Sequence, residues 1–385
     1  MDGRTSQLRR LVAGPTGRDP SSGIVTTTQP RPKAALLAPL TALILWLTGC
    51  GLDRFTANPA PTASPTSAVG PRPTAAPASI VATWHQQAQS EGQVRVHADL
   101  SPKEAEEIEK DFSRRYPKVR IEWTRGSDVD LVDRLRANGA IPDVMIGDNA
   151  AALKQAGMAE RWTPPESRGI KADLFDPDGA WYALAMTYYV MQLNTELVPA
   201  AAQPRAYQQL ADPGWLGKLS LDQDALPWFQ GLIEVYGRQP TLDALRPLAA
   251  QGVRFRRGPQ LVADFISAGQ DGLAIANRLD AVERSKRAGA KTAWWTVEPV
   301  IVRPTAVVLL QLAPNPSAAR LFANYVLSAP AQAILAEWGR IPSREDVDPE
   351  PQDLVQRVRI HVTRQPDAGT AADLRAQWDD LWGLR

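Results

Sequence analysis

"QVRVHADLSPKEAEEIEKDFSRRYPKVRIEW", residues 93–123, packs a strand, a helix and a second strand into 31 residues. "QVRVHA" (93–98) alternates apolar and polar side chains, the period of a half-buried strand. Ser101 then precedes Pro102, with Glu104 three residues on; this is a capping box with proline in the first helical position. Ala105, Ile108, Phe112 and Tyr116 recur at three- and four-residue spacing and mark one buried helix face. "VRIEWTR" (119–125) reads as the next strand. "GSDVDLVDRLRANG" (126–139) repeats the logic, with Ser127 as cap, Asp130 three residues later and Gly139 as stop. "PDVMIGD" (142–148) is a third strand, and "NAAALKQAG" a short helix after it. Strand and helix alternating across short turns predict βαβ units and a parallel sheet.

Ligands of such sheets bind outside the carboxyl ends of the strands. Here those ends carry Asp99–Ser101, Arg125–Ser127 and Gly147–Asn149. Two of them run into capped helix N-termini, where free N–H groups and the helix dipole favour an anion. Capping alone explains any single serine. The three ends as a set predict a ligand cleft, with Asp99, Ser101, Arg125, Ser127 and Asp148 as candidate ligand contacts.

Composition removes several alternatives. Formal net charge is +1, from 43 basic and 42 acidic residues, so nothing points to a nucleic-acid partner. Three histidines (His85, His97, His361) and one cysteine exclude a Cys/His zinc site and an intramolecular disulfide. Neither GxGxxG nor GxxxxGK[ST] occurs, nor a G-x-S-x-G elbow or HExxH. No catalytic residue, metal or cofactor is therefore expected, and an enzyme is the weakest of the functional readings.

That one cysteine, Cys50, follows Arg31, Lys33 and the apolar run "AALLAPLTALILWL" (34–47). The order of positive charge, short apolar run and small residues is that of a signal peptide. "LTGC" (47–50) resembles the lipobox of bacterial lipoproteins, which implies a lipid on Cys50 and an N-terminus cut there. Residues 1–30 exceed an ordinary n-region, so the true start is expected downstream. Residues 51–90, rich in Pro, Ala, Thr and Ser over most of their length, are expected to be an extended linker between lipid and folded domain.

In the second half, "AWYALAMTYYVMQLNTELV" (180–198) reads as a long strand. "YVMQLNTELV", "LADPGWLGKLSLDQ" (210–223), "DGLAIAN" (271–277), "APNPSAARLFANYVLS" (313–328) and "GRIPSREDV" (339–347) follow in order. Together with "VRVHADLSPKEAEEIEKDFSRRYPKVRIEW" and "RGSDVDLVDRLRANGAIPDVMIGDN", this series resembles bacterial extracellular solute-binding proteins of ABC transporters, of the type II, ferric-iron-binding-like group. The resemblance spans about residues 92–347. It implies an α/β fold with two lobes, parallel-rich sheets flanked by helices and a β-strand hinge. The expected division is 91–190 for the first part of lobe 1, 191–300 for lobe 2, and 301–385 for the return to lobe 1 and C-terminal helices.

The resemblance also implies partners: a small solute in the cleft, an ABC permease with its ATPase, and the membrane through the lipid, with the protein a monomer on the outer face of the cytoplasmic membrane or in the periplasm. Iron-binding members hold metal with a histidine, a glutamate and two adjacent tyrosines. Those positions fall here near Ser101 (His97 lies four residues upstream), at Asp148, and near Arg278 and Leu279. Arginine cannot ligate ferric iron. Tyr188 and Tyr189 are adjacent on the long strand, so they point to opposite faces, one to the core and one to the hinge; Tyr188 is the candidate contact. Asn277 and Arg278 complete the candidate set, Arg278 offering a bidentate guanidinium to a phosphate ester, phosphonate or carboxylate. Asp148 would then hold a hydroxyl or amine of a mixed-charge ligand. Trp294 and Trp295 offer stacking surfaces, one of them expected in the core. Three readings stay open: an importer's receptor for an anionic or mixed-charge solute, a ferric-iron receptor of the same fold, and a solute-sensing lipoprotein signalling to a non-transport partner.

Overall fold

The computed structural model describes residues 77–126, 141–350, 352 and 355–384. Cys50 and its lipobox, residues 51–76 of the expected linker, and Ser127 with its expected helix lie outside the described residues.

The last part of the expected linker is instead a helix, α1 (Pro77–Glu91). Trp84 and Ala88, four residues apart, are both buried in the first core. Glu91 ends the helix by accepting the backbone N–H groups of Ser317 and Ala318 at 3.1 and 2.7 Å. Proline-rich composition hid a segment whose apolar spacing gave it a face to bury.

β1 (Gln93–Ala98) lies parallel to β2 (Arg120–Arg125) and β3 (Val144–Gly147), with α2 (Pro102–Arg115) between the first two strands. Ser101 Oγ accepts from the Glu104 N–H, and the Ser101 N–H donates to Glu104 Oε2 at 2.7 Å, closing the capping box. Ala105, Ile108 and Phe112 are buried as the spacing requires. α3 (Ala150–Gln155) follows β3.

β4 (Tyr182–Asn194) is the long strand, buried over all thirteen residues. Next come β5 (Leu219–Asp222), α4 (Leu226–Tyr236), α5 (Arg238–Ala249), β6 (Arg254–Arg256) and α6 (Pro259–Ser267). β7 (Leu273–Arg278), α7 (Leu279–Arg287) and β8 (Thr292–Trp295) lead into β9 (Val300–Leu309), a second fully buried strand. α8 (Pro316–Val326), α9 (Ala329–Glu337), β10 (Ile341–Pro342), β11 (Ile360–Val362) and α10 (Ala368–Trp382) complete the chain.

The strands run β2-β1-β3-β9-β4-β7-β5-β6. The two ends of this path are parallel; its middle, β3-β9-β4-β7, is antiparallel. The sheet is therefore mixed rather than parallel-rich, because β9 and β4 cross between the two halves in opposite directions. Their pairing runs from Tyr182 opposite Val307 to Tyr189 opposite Ile301. Leu184, Tyr188 and Val190 of β4 enter the first apolar core, and Met191 and Leu193 enter the second. One strand thus serves both lobes of the α/β fold.

α4 lies so close to β9 that a Cβ on Gly231 would fall 2.3 Å from Ile301 Cγ2; no larger residue fits that crossing. The C-terminal helix departs from expectation. α10 does not return to the first lobe: Leu374, Trp378 and Trp382 sit in the second core, and Trp378 meets Phe229 with ring centroids 5.5 Å apart. Its three apolar residues at four-residue spacing match the aromatic surface of α4.

Candidate functional site

The strand ends of the two halves face one cleft of about 920 Å³. The first half contributes Asp99 and Leu100 after β1, and Asp148 and Asn149 after β3. The second contributes Asp222 and Asp224 at the end of β5, Arg257–Pro259 ahead of α6, and Arg278 at the end of β7. Tyr189 and Arg303, on the two crossing strands, line the same cleft.

Arg303 is the unexpected member. It lies on β9 opposite Thr187 and is only 1% exposed. Its Nη1 donates to the Arg364 carbonyl at 2.8 Å and its Nη2 to Gln230 Oε1 at 2.6 Å. Its Nε has no hydrogen-bond partner, and no described carboxylate lies within ion-pair distance. Burial pulls its pKa down, while the negative charge of Asp148 pulls the other way. Tyr189 stands in the same field: burial pushes its hydroxyl pKa well up, Asp148 adds to this, and Arg278 and Arg303 oppose it.

Asp222 is the acidic counterpart. Burial raises its pKa to about 6, although its carboxylate accepts the N–H groups of Asp224 at 3.1 Å and Gly258 at 3.0 Å. The cleft thus presents a buried cation and a buried acid that are not paired with each other.

Arg278 is held differently. It ion-pairs with Asp99 and donates through Nε to Asp280 at 3.1 Å. Asp280 also accepts from Arg284 at 2.8 Å, and Arg340 Nε donates to Glu104 at 2.6 Å and through Nη2 to the Asp99 carbonyl at 3.0 Å. Three guanidinium groups and three carboxylates balance. Burial alone would raise Glu104 and Asp280, but Arg340 holds Glu104 below its usual range, and Arg278, Arg340 and Arg284 do the same for Asp280. Burial alone would lower Arg278, yet Asp280 and Asp99 keep it well above its ordinary value. Arg340 reaches this network through Gly339, whose φ of +83° and whose position (a Cβ would lie 2.9 Å from Glu283 Cβ) admit only glycine.

Of the candidates read from sequence, Asp99, Asp148 and Arg278 line the cleft. Ser101 does not: its hydroxyl is occupied as the cap of α2. Arg125 is exposed at the end of β2 and is not itself in the cleft lining, although the next residue, Gly126, is. Asn277 is buried behind it, donating to Gln192 Oε1 at 2.7 Å and the Pro259 carbonyl at 3.1 Å. Tyr188 belongs to the first core, and its neighbour Tyr189 is the one at the cleft. Burial pushes the Tyr188 hydroxyl up to about 12. Leu279 and His97 are buried, Trp294 packs on the first core, and Trp295 donates to the Pro204 carbonyl at 2.8 Å. Ser127 lies outside the described residues.

Arg303, Tyr189 and Asp222 were missed, and two of them left a trace. Arg303 is the only charged residue in 300–312, and a lone charge in a buried strand implies a function. Asp222 ends the strand "LSLD", where the strand-end rule applied to the first half would also have found it.

Among the described residues, no three His, Cys, Asp or Glu side chains gather to hold a metal ion. The cleft lining brings together the Arg303 guanidinium and the carboxylates of Asp148 and Asp222.

Two cores joined by crossing strands, with a cleft at the strand ends, are the architecture of the type II periplasmic-binding-protein fold. The chain belongs to the bacterial extracellular solute-binding proteins, whose family model matches residues 93–341. Members bind small solutes and deliver them to ABC transporters; they are binding proteins, not enzymes. Two curated relatives from Synechocystis sp. (strain ATCC 27184 / PCC 6803 / Kazusa) are Iron uptake protein A1 and Iron uptake protein A2. The first is 23% identical over 241 residues, 57% of this chain and 67% of the relative. The second is 26% identical over 257 residues, 56% of this chain and 69% of the relative. Among solved structures, the periplasmic binding protein AfuA from Actinobacillus pleuropneumoniae, with exogenous fructose-6-phosphate bound, has a TM-score of 0.69 at 17% identity, covering 77% of this chain and 100% of that one. Iron-bound HitA from Pseudomonas aeruginosa has a TM-score of 0.61 at 18% identity, covering 76% of this chain and 98% of that one. These likenesses establish the fold.

Proposed function

We propose that this chain is the receptor of an ABC importer, taking a small anionic or mixed-charge solute into the cleft and presenting it to a permease driven by an ATPase. Arg303 carries the solute class: a guanidinium 1% exposed, lining the cleft, with an Nε–H that has no partner and no ion pair among the described residues. A buried guanidinium held only by neutral oxygens is unfavourable, and a phosphate, phosphonate or carboxylate group supplies the opposite charge with charge-assisted hydrogen bonds. Asp148 and Asp222 suit hydroxyl or amine groups on the same solute. Closure of the lobes on the solute is the state the permease reads. The protein works as a monomer, tethered by lipid on Cys50 to the outer face of the membrane; Cys50→Ala releases it from the membrane fraction, and unchanged partitioning refutes the tether.

A second reading, ferric iron, is favoured by the two iron uptake relatives. Tyr189, Asp148 and Asp222 are hard oxygen donors of the kind ferric iron prefers. Arg303 and Arg278 in the same cleft repel a bare trivalent cation, so the anion reading stands first.

The test is a thermal-shift screen of the full chain against phosphate esters, phosphonates, polyamines and Fe(III). A ligand at 100 times its dissociation constant adds about 2.7 kcal/mol. Anions are expected to stabilise the wild type and not Arg303→Met. Stabilisation by Fe(III) alone, unchanged in Arg303→Met, overturns the proposal.

A further inference from the structure

The family match ends at residue 341, yet the chain beyond it builds one wall of the cleft. β11 pairs in parallel with β9, and the Arg364 carbonyl just after it accepts from Arg303. α10 follows, pinned at its start by the Ala368 N–H donating to Gln155 Oε1 at 3.2 Å, and further along by Arg375 donating to Asp224 at 2.8 Å. Between these ties Ala368, Ala371, Ala372 and Leu374 face the cleft, and Leu226 and Pro227 of α4 line it too. The charged lining comes chiefly from the strand ends; this wall is small and apolar apart from Arg375, which is paired with Asp224.

We infer that the C-terminal segment selects an organic anion with an apolar body, the body resting on α10 and the anionic group on Arg303. The inference rests on the anion reading above and adds what surrounds the charge. Small residues alone would mean nothing, but the cleft they face also holds the buried, incompletely partnered Arg303 guanidinium. Volume argues the same way. The cleft of about 920 Å³ is far larger than an inorganic phosphate or a metal ion. It falls in the range of pockets that enclose organic ligands of roughly 300–1,000 Å³.

The probes are inorganic phosphate, methyl phosphate, butyl phosphate and phenyl phosphate, titrated calorimetrically into the full chain. Butyl and phenyl phosphate are expected to bind at least about tenfold more tightly than methyl phosphate, since each buried methylene contributes about 0.8 kcal/mol. Ala371→Trp, which fills the wall, is expected to weaken phenyl phosphate about tenfold or more and to weaken methyl phosphate less. Equal binding of all four probes by the unmodified chain refutes the apolar wall and leaves the anion reading intact. Failure of every probe to bind overturns the anion reading at Arg303 and this inference with it.

Discussion

Two groups of buried charge lie in the same molecule and are built on opposite terms. Around Asp280, three arginines meet three carboxylates drawn from both halves of the sequence, and every carboxylate has a guanidinium within ion-pair distance. Around Arg303, the guanidinium donates to a carbonyl and an amide oxygen, and the nearby buried acid, Asp222, is stabilised by backbone N–H groups instead. The first group satisfies itself and acts as structure. The second has no ion pair between its two signs, which is what the proposed solute site requires. Arg278, on sequence alone the more obvious anion ligand, belongs to the first group.

The largest effect expected from breaking this contrast comes from the balanced group. Asp280→Ala removes the carboxylate that Arg278, Arg284 and Arg340 share, leaving Arg278 only Asp99 and the other two only Glu104, and removing one partner of a buried pair costs about 3–5 kcal/mol. Denaturant unfolding measures it. A loss below about 1 kcal/mol would mean that the network is dispensable.

Acid separates the two groups by sign. Asp222 has a folded pKa of about 6, above its unfolded value, so the folded state holds more protons between about pH 4 and pH 6. Its contribution to stability is present below that window and is lost as pH rises through it, by up to about 3 kcal/mol at 1.36 kcal/mol per unit. Glu104 and Asp280 have depressed values, so theirs is present at neutral pH and lost as pH falls below the ordinary carboxylate range. Comparing wild type with Asp222→Asn across pH 4–7 isolates the first effect; a difference that does not change over that window removes the contrast.

Ser101→Ala is the smallest perturbation. It removes the cap of α2, beside Glu104 of the balanced group, and is expected to lower stability by about 1 kcal/mol. Ligand affinity, read by the same titrations, stays unchanged, because Ser101 does not line the cleft. A matching loss of affinity would return Ser101 to the binding surface.

What could be read from the sequence was local. The Ser101–Glu104 box, the face of α2 and the long β4 each depend on residues close together in sequence, and with the order of such local motifs along the chain they place the fold. The site depends on distant meetings. Arg278 finds Asp99 across 179 residues, and no spacing rule reveals that its charge is already answered. Alternation says that Tyr188 and Tyr189 face opposite ways; only the register of β4 against β9 and β7 decides which one reaches the cleft. α1 was concealed by proline-rich surroundings. α10 displayed its Leu374, Trp378 and Trp382 stripe but not the surface it would meet.

The bond from Arg303 to the Arg364 carbonyl spans 61 residues and joins the cleft floor to a short strand near the C-terminus. Whatever steadies that guanidinium also steadies the backbone of 360–364. Occupancy of the cleft should accordingly leave an amide-exchange footprint there, in a stretch remote in sequence from the arginine that reports it.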